Sequence, residues 1–435
     1  MRLRLIIVGS MLLLAGRIEA ESPLRLTLGD AIQMALRGGT SAQLARSGEE
    51  RARIAQSEAF QNLLPQADAK VTRYSQSINL ETFGFSFPGQ PTVVGPFNVT
   101  DGNLKAAMLL FNLAALRHWQ SVRASVSASR WETEQAENDV ASAVARLYVL
   151  VQRGTAQIAS REANVALFTR LAEVSNDEFK AGTGTRLDVA QAHVQLARAR
   201  QALLVAQNDR QNAAFALLNA VGADEASDVV IADAIPQYGP PPAAAAALTV
   251  AREQRPELKA MHAREQEAQL AVRAAQSRRV PSLAADFEGD YSGNHTSDLR
   301  WTRRIAGSVS VPLFRADVNV MIARAKAQLH DVEIQRVQRE RDVVQDVRRS
   351  VLNLESAEAR VQVAAETVKV AEEALTVARD RREAGYGSPI EVDRAQDSYR
   401  EAHEDLIAAQ ADAAAAHFDL LHATGEIHQL VGSAP

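Results

Sequence analysis

Two short stretches carry the residues most suggestive of chemistry: AGTGTRLDV at 181–189 and AGYGSPIEV at 384–392. Closely spaced glycines can cradle a phosphate with backbone N–H groups, but a phosphate loop follows a buried strand and continues to Gly-Lys-Ser/Thr, and neither stretch does. The carboxylates beside them, Asp188, Glu391 and Asp393, open a helical pattern, where an acid meets free N–H groups and the positive end of the macrodipole. Ser388 and Glu391 also have the spacing of a capping box. His417, His422 and His428 are the densest of the nine histidines, but spacings of five and six residues do not converge on a helix, so no metal site is expected. With no nucleophile elbow or zincin motif, the chain offers no catalytic residues and calls for no cofactor. It reads as something other than an enzyme.

The elements that hold these stretches come from an internal repeat. Gly182 and Gly184 recur as Gly385 and Gly387, 203 residues on, and the same offset carries Phe111 to Phe314, Val144 to Val347, Phe215 to Phe418 and Gly222 to Gly425. Leu64-Pro65 pairs with Val280-Pro281 at an offset of 216, so the first copy holds 13 additional residues between its proline and Phe111. The organisation expected is a first repeat over 21–235, a Pro/Ala linker at 236–247 containing YGPPPAAAAA, and a second repeat over 248–435. Apolar residues recur at every seventh position: Val144, Val151, Ile158, Val165, Ala172 and Phe179, then Val347, Leu354, Val361, Val368 and Leu375. A sustained heptad specifies supercoiled helices. A first helix from about Ala114 to Lys180 would be roughly 100 Å long, and its partner, ending near Ala220, roughly 50 Å. Helices near Ser41–Leu63 and Pro256–Arg279, about 35 Å each, would stack on the shorter partners to cover the longer ones.

After each proline the period changes to two. Leu283, Ala285, Phe287, Gly289 and Tyr291 alternate with a face that carries Asp286, Glu288 and Asp290. Trp301, Ile305, Val309, Val311 and Leu313 form the apolar face of the returning strand, so this is a hairpin. Lys70–Leu80 and Leu104–Leu110 are its counterparts, with Phe83, Phe85 and Phe87 in the longer loop between them. Four such strands are too few for a barrel from one chain, so several chains would share one. Seen alone, the same hairpins also suit a soluble sheet lying on helices.

A formal charge of −5 over 435 residues, with acids interleaved in the arginine-rich run 336–349, points away from nucleic acid. The opening MRLRLIIVGSMLLLAGRIEAES reads as a signal peptide over 1–20, cleaved after Ala20. The chain has no cysteine, hence no disulfide and no acceptor for an N-terminal lipid.

Tandem helix, strand hairpin and long helical hairpin units behind a signal peptide resemble the TolC-type outer-membrane efflux protein family. The most specific pieces are the paired glycine turns, the prolines before both hairpins, and the helix ends FALLNAVG and FDLLHATG. The resemblance implies a mainly α chain with a small β part: long coiled-coil hairpins, and two β-hairpins per chain contributing to a 12-stranded outer-membrane barrel in a homotrimer. It implies an exit duct of a tripartite pump or type I secretion system, working with a periplasmic adaptor and an inner-membrane pump or ABC exporter, seated in outer-membrane lipid with a large periplasmic part. Gly182, Gly184, Arg186, Gly385, Gly387 and Pro389 would then form the periplasmic tip turns that contact the adaptor. Asp188, Glu391 and Asp393 would line the tunnel entrance as rings of carboxylate that favour cations; capping remains an equal account of them. Where family members often have another acid three residues on, this chain has Gln191 and Arg394. A soluble periplasmic coiled-coil adaptor or scaffold is the alternative.

Overall fold

A computed structural model describes residues 24–85, 88–89, 91–224, 228–233, 239–295, 298–384 and 386–432. The leader ending at Ala20, Phe87, Tyr238 of the linker and Gly385 lie outside the described residues. The chain runs β1 (Leu24–Leu26), α1 (Leu28–Gly38), α2 (Thr40–Gln61), β2 (Gln66–Asn79), a 3-10 turn (Leu80–Phe83), β3 (Val93–Phe111), α3 (Leu113–Lys180), α4 (Arg186–Val221) and β4 (Val229–Ile231). It continues with α5 (Ala244–Gln254), α6 (Pro256–Ser277), β5 (Ser282–Gly293), β6 (Arg300–Ser310), α7 (Ala316–Glu383), α8 (Pro389–Thr424) and α9 (Gln429–Gly432).

The repeat is reproduced in element lengths. Helices α3 and α7 have 68 residues each and α4 and α8 have 36; α2 and α6 have 22, α1 and α5 11. The heptad positions account for the long pairs: Val144, Val151, Val347 and Leu354 are fully buried in the seams. Helices α4 and α2 both pack along α3, while α6 packs on α3 and α7 together. The end-to-end cover expected of the shorter helices is therefore present, with α6 shared between the two long ones. Phe179 departs from its expected seam position and is exposed, because at the free end of the hairpin no third element covers it.

The core is deepest midway along the helices, where Leu26, Ile32, Tyr148, Leu217, Leu218 and Ile427 meet. There β1 and β4 form a two-stranded parallel sheet, which the hydrophobic pattern did not announce. The Tyr148 hydroxyl lies 3.0 Å from the Leu26 carbonyl oxygen and 2.9 Å from Asp233 Oδ2, and the same carboxylate oxygen accepts from Leu28 N at 3.1 Å. Burial first, then the Asp233 carboxylate, raises the tyrosine pKa well above its ordinary value. The hydroxyl thus stays a donor and ties the end of the first repeat to its beginning.

Two boundaries need correction. Helix α5 starts inside the expected linker, because Ala244–Ala247 follow the prolines and are free to form a helix. Strand β6 ends at Ser310, short of Val311 and Leu313, since Pro312 has no N–H to give a ladder.

Candidate functional site

The first glycine turn follows from where the helical hydrogen bonds stop. α3 ends at Ala181, Gly182 takes the left-handed φ of +78°, and Gly184 N donates back to the Glu178 carbonyl at 3.0 Å. The second turn repeats that bond from Gly387 N to the Arg381 carbonyl at 2.9 Å. Close approach explains the second glycine of each pair. A Cβ on Gly387 would lie 2.7 Å from Arg382 N and 3.0 Å from Arg381 C, whereas the nearest atoms to one on Gly184 are Glu178 Cβ at 3.1 Å and Phe179 N at 3.2 Å, so the second turn is the tighter. Gly387→Ala is therefore expected to overpack the turn at a cost of about 1–3 kcal/mol and to speed proteolysis there more than Gly184→Ala does. Equal cleavage rates in limited proteolysis would remove this distinction. Arg186 is the exposed first residue of α4, and Pro389 occupies the first turn of α8, where its missing N–H has no helical partner to lose.

The acids behave differently from one another. Asp188 closes a capping box: Thr185 N and Oγ1 donate to its Oδ2 at 2.9 and 2.6 Å, and Thr185 Oγ1 accepts from Asp188 N at 3.2 Å. The side-chain bond and then the backbone bond hold its pKa below the ordinary carboxylate value. Because the folded pKa is depressed, this contribution is complete at neutral pH and fades as pH falls through it. Glu391 forms no such box. Ser388 Oγ accepts from Ile390 N at 3.3 Å instead, and the Glu391 carboxylate faces Arg381 across the turn at 4.0 Å. Asp393 has its pKa raised by lost hydration, with Arg382 opposing and Asp397 adding to the rise. Among the described residues no hydrogen bond or ion pair joins the two turns of one chain.

The sequence reading passed over Leu187 and Ile390. They occupy the same place in the two copies and both side chains are bare, as is Tyr386. The available signal was an apolar residue off the heptad in both repeats.

At the opposite end of the helices, the four long strands form one antiparallel sheet in the order β2-β3-β5-β6. On one face Asp68, Lys105, Glu288 and Arg304 lie in a row across it, with Lys105 at 3.1 Å and Arg304 at 2.8 Å from the Glu288 carboxylate. In the next row Asn103 donates to Asp290. The face expected to be acidic thus alternates in sign across the strands and is largely neutralised by cross-strand pairs. The other face leaves Val71, Leu104, Tyr291, Trp301, Ile305 and Val309 exposed. The Trp301 indole lies over the bare Cα of Gly289 and its ring centroid is 6.0 Å from that of Tyr291. Arg303 shares this face beside Trp301, a place from which a long side chain can carry its charge to a polar boundary. Strands β2 and β6 are open edges, the kind of backbone that another chain pairs with. Among the described residues no helix is long and apolar enough to cross a membrane.

A family model described as outer membrane efflux protein matches residues 32–223 and 247–426. The outer membrane efflux protein BepC of Brucella suis biovar 1 is 25% identical over 364 residues, covering 78% of this chain and 77% of its own. Among solved structures, the CmeC outer membrane channel of Campylobacter jejuni superposes with a TM-score of 0.79 at 16% identity, over 92% of this chain and 85% of that one. The outer membrane protein VceC of Vibrio cholerae gives 0.76 at 18% identity, over 92% and 96%. These low identities speak for a shared fold: a helical tunnel with a β part.

Proposed function

Because the chain belongs to the outer membrane efflux protein family, we propose that it is a passive exit duct, three copies of which close one 12-stranded barrel and one helical tunnel. The observation that carries this is the sheet: four strands open at both edges, one face apolar and bare, the other lined by paired charges, at the end of helices roughly 100 Å long. Such a sheet is stable in lipid only when its edges are closed by further strands. The leader over 1–20 sends the chain across the inner membrane, and the barrel seats it in the outer one.

The tip turns at Gly182–Arg186 and Gly387–Pro389 form the periplasmic end and meet an adaptor, with bare Leu187, Tyr386 and Ile390 as contacts. An inner-membrane pump or ABC exporter supplies the energy. Asp188 caps its helix and faces the entrance together with Glu391 and Asp393. The test is envelope fractionation of the native protein followed by conductance in planar bilayers. A detergent-extracted trimer from the outer membrane that forms discrete pores is expected; a soluble periplasmic chain would overturn the reading.

A further inference from the structure

The charged face of the sheet continues past the ends of its strands. Ser282 and Ser310 pair with each other and, by the period of two, stand on the same face as Glu288 and Arg304. They border a cavity of about 550 Å³ to which four helices contribute: Asn62 comes from the end of α2, His118 from α3, Arg278 from the end of α6 and Arg324 from α7. By their contacts these helices stand side by side in the order α2, α3, α6, α7. Four helices in a row share one cavity only on the concave side of the arc they form, so the space extends the charged side of the sheet into the helical part. Arg315, just before α7, lines it too, and among the described residues no carboxylate does.

The arginines differ in what they meet. Arg315 is held by Asp317, with Nε and Nη2 donating at 3.2 and 2.6 Å. Among the described residues Arg278 meets only the Met321 sulfur, at 3.3 Å, and Arg324 forms no hydrogen bond or ion pair. The internal repeat shows that the fold does not require them: their copies in the first repeat are Asn112, Asn62 and Ser121, in helices of the same lengths. A cation at a helix C-terminus is favoured by the macrodipole, and Arg278 is the C-cap of α6, yet α2 ends on Asn62 without one. Charges named elsewhere on the path have partners. Lys105 and Arg304 hold Glu288, Asp188 caps its helix and Glu391 faces Arg381. Uncompensated positive charge therefore stands where the strands meet the helices.

We propose that this junction is an anion-recruiting belt, in which Arg278 and Arg324 of three copies draw solutes bearing carboxylate, sulfonate or phosphate groups from the tunnel into the barrel and hold back cations. The proposal rests on the shared-duct reading and adds a class of cargo to it. Low-dielectric walls focus the field of such a ring into the passage, and the guanidinium fork matches oxyanions in geometry as well as charge. Exposed arginines without a fixed partner hold an anion weakly, which suits a passage that must release what it attracts.

The chain has no cysteine, so Gln328→Cys, on the cavity wall, gives the full-length, detergent-extracted trimer one thiol per copy that reads the local potential. Methanethiosulfonates carrying either a sulfonate or a trimethylammonium group form a disulfide with it and release methanesulfinate. With rates taken relative to a small free thiol, the sulfonate reagent is expected to react faster, and Arg278→Gln with Arg324→Gln should cut its advantage roughly tenfold at low salt. Arg278→Lys with Arg324→Lys should keep the advantage, which separates charge from shape, and molar salt should abolish it as the Debye length falls to about 3 Å. In planar bilayers the Gln pair should also move the reversal potential under a salt gradient towards cation preference. An advantage that the Gln pair leaves unchanged, a faster trimethylammonium reagent, or an unmoved reversal potential in a pore-forming outer-membrane trimer overturns the proposal and leaves the duct intact. A soluble chain that forms no pore overturns the duct reading itself, and the belt with it.

Discussion

If the glycine turns are the periplasmic entrance of the proposed trimeric duct, cross-linking them is expected to reduce export to background without dissociating the trimer. With Asp188→Cys and Glu391→Cys in a chain that has no other cysteine, a bis-methanethiosulfonate, which forms a disulfide at each end and releases sulfinate, joins only these turns, and subsequent reduction should restore export. The expectation follows from where stiffness lies. The hairpins are regular helix for 68 and 36 residues on each side of the turn, so motion that widens the entrance must carry the turns with it. Each turn is also fixed internally, by the Gly184-to-Glu178 and Gly387-to-Arg381 bonds. A bridge between turns therefore holds whole hairpins rather than a loose loop. Asp188→Cys removes the capping box with Thr185, so the reduced double variant, which lacks the cap but has no bridge, is the proper reference. Full export with the bridges demonstrably formed would show that the turns do not move during transport.

What the sequence made legible was local or repeated. Both ends of the long helices follow from a glycine turn and a heptad, each readable within a few turns of chain, and the 203-residue offset fixed the second pair from the first. The acids show where that locality ends. Ser388 and Glu391 have capping-box spacing, yet Glu391 turns to Arg381 on the preceding helix, and Ser388 caps one residue earlier. The first half of β3 was missed because beyond Leu104 its outer face alternates less cleanly, through Gly102 and Thr100, while the backbone ladder to β2 continues. The charge alternation on the sheet was hidden for a related reason. Lys105 and Glu288 lie far apart in sequence and become neighbours only through strand register. Phe215 and its copy Phe418 likewise differ in exposure, 42% against 0%, because α8 packs on α3 as well as on α7, a crossing that identical residues cannot announce.

A charge placed on the bare face of the sheet is expected to do more damage than one on the paired face. Ile305 lies opposite Phe287 and is exposed in the middle of the apolar face, below the Tyr291–Trp301 pair. In the proposed barrel, Ile305→Arg would put a guanidinium against hydrocarbon at a cost of about 2–4 kcal/mol for each copy, and the proposed trimer would carry that cost three times. Thr302→Arg, on the opposite face beside Asp290, enters a lining that already pairs Arg304 and Lys105 with Glu288. The expected result is a large loss of outer-membrane trimer for Ile305→Arg, measured by fractionation and heat-modifiable migration, against near-normal assembly for Thr302→Arg. The native Arg303 sharpens the comparison: it shares the Ile305 face but stands beside Trp301, closer to the polar boundary, so depth along the strand rather than face alone sets the cost. Shifting the charge from 305 to 301 should therefore recover much of the lost assembly. If Ile305→Arg and Thr302→Arg assemble equally well, the bare face does not meet lipid and the sheet must be covered by something else.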